Sequence, residues 1–242
     1  MKFELLHTID LLHDLYEKPR SIERFNEYLT ILQGNTKGDM AIPISGFNPM
    51  AKDVAADKLK ELKELDAEGI MLSTANDING QLEHKSKSVF KLVLNLCDDV
   101  QGSWTNRFTS DYDHKFKMSA LLSRNFCVVV FWTSEKINTE LIRTRTEEAI
   151  YRTTYRTKHP TPLTLQQHID QERAVFQKMN SNNTSPIDPE IRNFYNKNRE
   201  SEEYNLIFNF LYGDKACESL GFPTYGIEQD YAGFEFAKAL NR

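Results

Sequence analysis

Three arginines and one glutamate occupy positions where a helix should be apolar, and they are the first residues of this chain whose placement implies chemistry. Along a helix expected over 134–157, at about 100° per residue, positions seven and eleven apart return to within about 20° of one direction. Arg145, Arg152 and Arg156 therefore share a stripe. Leu141 and Ala149 lie about 40° to either side of it and Ile142 about 60° away, so the arginines point toward the apolar side of the helix. A guanidinium there needs a carboxylate, a bound anion or a route to water, because an unpaired buried charge is strongly disfavoured.

The helix expected after Pro162 carries the opposite charge in the same way. Leu165, Ile169, Phe176 and Met179 project within about 60° of Glu172, and His168, one turn earlier, borders the same face with Val175. The proline-bearing connection between the two helices is short, which favours antiparallel neighbours and would set the arginine stripe opposite Glu172 and His168. A third group lies elsewhere. Asp98 and Asp99 close an alternating apolar segment, a position from which a strand end aims side chains into a cleft, and Trp104, Asn106 and Arg107 follow in a turn dense in hydrogen-bonding groups.

Taken together, Asp98, Asp99, Trp104, Asn106, Arg107, Arg145, Arg152, His168 and Glu172 predict a pocket for a small polar or anionic ligand. Arg107, Arg145 and Arg152 would hold the anionic group, and Glu172 or Asp99 would act as general base, with His168 a further catalytic candidate, in a hydrolase-like reaction. The competing reading is a non-catalytic structural or interaction protein in which the same residues are an internal salt-bridge network. A metal site would use His168 and Glu172 with Asp111, Asp113 and His114, but the neighbouring arginines repel a cation and no metal is expected. No nucleophile elbow, phosphate loop, zinc-protease motif or dinucleotide glycine fingerprint is present, so the sequence specifies no cofactor.

Composition narrows the partners. The 30 basic and 35 acidic residues are scattered without a basic stripe, for a net charge of −5, so nucleic acid is not an expected partner. The longest apolar run, Phe126 to Trp132, falls far short of the roughly 20 residues that cross a bilayer, so no membrane span is expected. The three cysteines form no CxxC, and the amino terminus carries charges where an export signal would be apolar. Both features point to reduced thiols in a cytoplasm.

The elements that must position these residues follow from periodicity. Helical spacing is read over 5–16 and 22–32, then a long loop over 35–49 that is a candidate lid or wall. An amphipathic surface helix spans 51–65 and continues over 70–78. Strands are expected at 89–97 and 126–132, with a further strand near 104–109. Helices follow over 134–157, from Pro162 to about 179, and from an Asp188 cap with Pro189 in the first turn, with a break before Ser201 and a stop at Gly213. A short helix through Cys217 ends at Gly221, and a last one covers 231–240. The aromatic residues of this tail are expected mainly as core. The fold class is a mainly helical α+β single domain over 1–242, packed on a small sheet of two to four strands.

Overall fold

The computed structural model describes all residues except 35, 37, 52, 83–87, 101–104, 180–186 and 242. Along the chain the elements are β1 (Lys2–Leu6), α1 (Ile9–Glu17), α2 (Ile22–Gln33), α3 (Asp53–Glu64), α4 (Ala67–Gln81), β2 (Val89–Cys97), α5 (Arg107–Phe116), α6 (Ser119–Ser123), β3 (Phe126–Trp132), α7 (Thr139–Arg156), α8 (Leu165–Lys178), α9 (Pro189–Asn198), α10 (Tyr204–Tyr212), α11 (Asp214–Leu220) and α12 (Ala232–Ala239). The fold is mainly helical α+β, with one small parallel sheet in the order β1-β2-β3. Its contacts cluster into two compact units: residues 1–114 with 119–150, and residues 115–118 with 151–242.

The first unit holds the sheet. Parallel pairing aligns Phe3 with Phe90 and Val93 with Val128. Beyond Lys91 the central strand is buried on both faces, Val93 and Asn95 included, as parallel strands covered on two sides are. The alternation read in the sequence thus describes only the start of β2.

Three expectations need correction. Residues 2–6 form β1, where helical spacing was read from Leu5 onward; pairing with distant β2 overrides a five-residue local preference. Among the described residues no strand forms over 105–109. Instead α5 starts at Arg107, with the Asn106 carboxamide accepting from the N–H groups of Phe108 and Thr109 at 3.0 and 3.2 Å. The third strand of the sheet is β1. Finally, α7 begins at Thr139 and not at Ser134, because Asn138 accepts from the Leu141 N–H at 2.8 Å, while Ser134 is held by Asp99.

Both outer strands have a rung closed by side chains. On β1, the Phe3 N–H donates to Asn79 Oδ1 and Asn79 Nδ2 donates to the Phe3 carbonyl, both at 2.9 Å. On β3, Thr133 donates its N–H to the Cys97 carbonyl, so odd-numbered residues face β2 and even-numbered ones face away. On that outer side Arg145 Nη1 donates to the Val130 carbonyl at 3.0 Å, and Glu135 Oε1 accepts from the Trp132 N–H at 2.8 Å. A neighbouring parallel strand would make this same pair of bonds from a single residue. Here an ion pair makes them. Asn79→Ala should strand both Phe3 groups and lower stability in urea by about 1–3 kcal/mol; an unchanged unfolding midpoint would show that the edge does not need its cap.

The second unit is helical. Glycine is needed at position 233, where a Cβ would lie 3.0 Å from the Leu211 Cα, so α12 can press against α10. Phe210 stacks on Phe194 at 5.8 Å and meets Phe236 edge-on at 5.6 Å, which places much of the aromatic tail in the core.

Candidate functional site

The nominated residues form two groups, one in each unit. Asp98, Asp99, Arg107 and Arg145 belong to the first; Arg152, His168 and Glu172 belong to the second. Trp104 lies outside the described residues. Asn106 serves as the cap of α5.

The first group sits where β2 and β3 end, since parallel strands deliver their carboxyl ends to one side of a sheet. Asp98 accepts from Asn48 Nδ2 at 3.0 Å and the Val100 N–H at 3.4 Å, and the Thr133 hydroxyl lies 3.2 Å from it. Asp99 accepts from the Ser134 N–H and hydroxyl at 2.9 and 2.6 Å. These bonds tie one strand end to the other. Arg107 lies across them, 3.6 Å from both Asp99 Oδ2 and Glu135 Oε2, with its guanidinium 5.6 Å from the Trp132 ring. Arg145 is held more firmly, by a two-pronged pair with Glu135 that includes Nη2 to Oε2 at 2.7 Å.

Residues 44–49 of the loop expected as a lid or wall pack at this end of the sheet. The Asp98 N–H donates to the Gly46 carbonyl at 3.2 Å, and a Cβ at Gly46 would fall 2.1 Å from Cys97 Sγ. Tyr28 and Tyr16 hold the carbonyls of Ile44 and Asn48 through their hydroxyls, and Arg24 Nε donates to the Pro49 carbonyl at 2.6 Å. Arg24 is buried, stacked 4.3 Å from the Tyr16 ring centre. Neither Arg24 nor Glu135 was nominated from the sequence. Asp111, Asp113 and His114 are in this unit too, and among the described residues no three acids, histidines or cysteines converge on a metal position.

In the second group, Arg152 forks onto Glu172, with Nε to Oε1 at 2.8 Å and Nη2 to Oε2 at 2.6 Å. Gln171 Nε2 adds a bond to Glu172 Oε1 and another to the Lys115 carbonyl, each at 3.0 Å. Burial pushes the Glu172 carboxyl up, but the charge and hydrogen bonds of Arg152 outweigh it and hold the group below the ordinary glutamate range. It stays ionised and occupied at both oxygens, which suits a tie and leaves little for a general base. The helix-face reading that set the arginine stripe against Glu172 is realised at Arg152.

His168 is buried, with its ring 4.7 Å from Phe116 and Nδ1 2.8 Å from the Thr164 carbonyl, so Nδ1 carries the proton. Burial lowers its pKa below 6.5. The unfolded chain then takes up the proton first, so this residue's contribution to stability is present above about pH 6.5 and declines as pH falls toward the lowered folded value. His168→Asn keeps a donor for Thr164 and removes the titration; the loss of unfolding free energy between pH 7 and 5 should be smaller in the variant. Equal losses would show that His168 does not titrate on unfolding.

Arg156 differs from the other two arginines of its stripe. It is 5% exposed, and its partners are the carbonyls of His159 and Pro160 and the Thr161 hydroxyl, the last at 2.7 Å from Nη2. Among the described residues no carboxylate lies within ion-pair distance of it. Its Nε, the Thr153 hydroxyl and Gln171 Oε1 are buried and have no hydrogen-bond partner. No family model, curated protein or solved structure matches this chain.

Proposed function

We propose that this protein binds a small anionic ligand in its second unit, at Arg156, and that Arg152–Glu172 and Arg145–Glu135 act as internal ties. The observation that carries the reading is a buried guanidinium with, among the described residues, no carboxylate partner and with its Nε–H unused. Burial of such a cation is unfavourable unless an anion joins it. Arg24 is also buried without a carboxylate and with Nη2 unpartnered, but the Tyr16 ring face and the carbonyls of Pro49 and Lys18 surround it where it clamps a loop. Among the described residues no aromatic ring faces Arg156 in this way. Cys97, Cys127 and Cys217 are buried and not in disulfides, which fits a reducing compartment, and we assign the protein to the cytoplasm on that ground. Among the described residues no helix is long and apolar enough to cross a membrane.

The test is a melting-temperature series of the purified protein with phosphate, sulfate and small carboxylates at constant ionic strength. An anion at about 100 times its Kd adds roughly 2.7 kcal/mol. For a chain of this length that is a rise of roughly 5–10 °C. The rise should disappear in Arg156→Met. The two closed ion pairs favour the second reading, a structural protein whose polar clusters only bind its elements together, and a flat series would favour it.

A further inference from the structure

The chemical class of the anion can be read from a threonine one turn away from Arg156. A buried threonine in a helix ordinarily returns its hydroxyl to the carbonyl four residues back. Thr74 does so onto Ile70 at 2.8 Å and Thr146 onto Ile142 at 2.7 Å. Thr153 is as fully buried as Thr146, yet its hydroxyl has no partner. Residues three apart on a helix are neighbours on one face, so this hydroxyl and the unused Nε of Arg156 lie on the same side of α7. The rest of the guanidinium is pinned by His159, Pro160 and Thr161, which leaves it little freedom to turn elsewhere.

What remains is one positive charge and two buried atoms without a partner, Nε–H of Arg156 and the hydroxyl of Thr153. Building on the anion-binding reading above, we propose that Thr153 and Arg156 form a cradle for a carboxylate group, one oxygen on the hydroxyl and the other on Nε–H. A carboxylate matches this set in charge and in number of acceptor atoms. A phosphate or sulfate dianion brings a second charge and oxygens that find no donor, both costly in a buried position.

The experiment compares formate and acetate with phosphate, sulfate and chloride as sodium salts at fixed ionic strength, reading melting temperature and, for the best ligand, Kd by calorimetry. Formate or acetate should raise the melting temperature of the parent protein, while phosphate and sulfate should not. Thr153→Val, which has nearly the same shape, should weaken carboxylate binding at least tenfold. Without ligand it should melt at or above the parent temperature, because it removes an unsatisfied buried hydroxyl. Arg156→Lys, which keeps the charge but not Nε, provides a second variant and should also bind at least tenfold more weakly. A larger response to phosphate, sulfate or chloride would overturn the carboxylate cradle and leave anion binding standing. No response to any anion would overturn both. Carboxylate binding unchanged in Thr153→Val would remove Thr153 from the site.

Discussion

Glu172→Gln lowers the unfolding free energy by about 3–5 kcal/mol, the cost of leaving a buried cation without its partner. The expectation rests on geometry: Glu172 is fully buried, both of its oxygens are engaged by Arg152, and Arg152 itself is 5% exposed. Chemical denaturation at pH 7 measures it. The double variant Arg152→Met with Glu172→Met separates a tie from a requirement for charge, since apolar replacement of a whole buried pair is often neutral or stabilising. If the double variant recovers most of the loss, the pair holds the fold only by keeping its own charges satisfied. The acid limb of the stability profile should respond as well. Arg152 holds the folded Glu172 carboxyl below the ordinary glutamate value of 4.5, so its contribution is complete above about that pH and is lost as pH falls through the folded value. In Glu172→Gln that part of the acid loss should be missing. A single variant as stable as the parent, with the same acid profile, would contradict the buried pair.

Glu135→Ala should be the next most damaging change, and its effect should reach beyond stability. It removes the acceptor for the Trp132 N–H and the carboxylate that steers Arg145 onto the Val130 carbonyl. The Glu135 and Arg145 side chains are 9% and 21% exposed, so the loss should be nearer 1–3 kcal/mol than that of a wholly buried pair. An uncovered strand edge is also a template for pairing with other chains. Light scattering on samples at equal concentration should therefore show faster association of Glu135→Ala than of the parent. Glu135→Gln retains an acceptor oxygen for Trp132 and should fall between them. If neither variant associates, the outer rung of β3 is protected by something other than this ion pair.

Helix counting recovered what lies on a single face and little of what depends on distant contact. The arginines in the apolar stripe of α7 and Glu172 in that of α8 were legible because an amphipathic helix exposes its exceptions, and the pairing of Arg152 with Glu172 followed from a short connection. The strands at 89–97 and 126–132 were legible from alternation and from an unbroken apolar run, and the Asp188 cap from residue type, its carboxylate accepting from the Glu190 N–H at 2.8 Å. β1 was hidden because Leu5, Leu6 and Ile9 fit helical spacing equally well, and only pairing with β2 decides between them. Arg145 shares a stripe with Arg152 yet reaches a strand edge, because its side chain is long enough to leave the direction that its backbone sets. Glu135 belongs to no periodic pattern at all. Seven of the nine nominated residues fall into two groups, one within each unit, and the sequence did not foresee that division because angular position around a helix says nothing about which distant segment it meets.

The side-chain caps on the sheet also bear on how this protein meets others. A strand approaching β1 must displace Asn79, and one approaching β3 must pull Arg145 and Glu135 apart, before either gains its first hydrogen bond at those rungs. The defender in each case is tethered to the same chain and competes at the millimolar effective concentrations typical of intramolecular groups. Dilute or poorly matched strands lose that competition, and only a partner that brings further contacts of its own could win it.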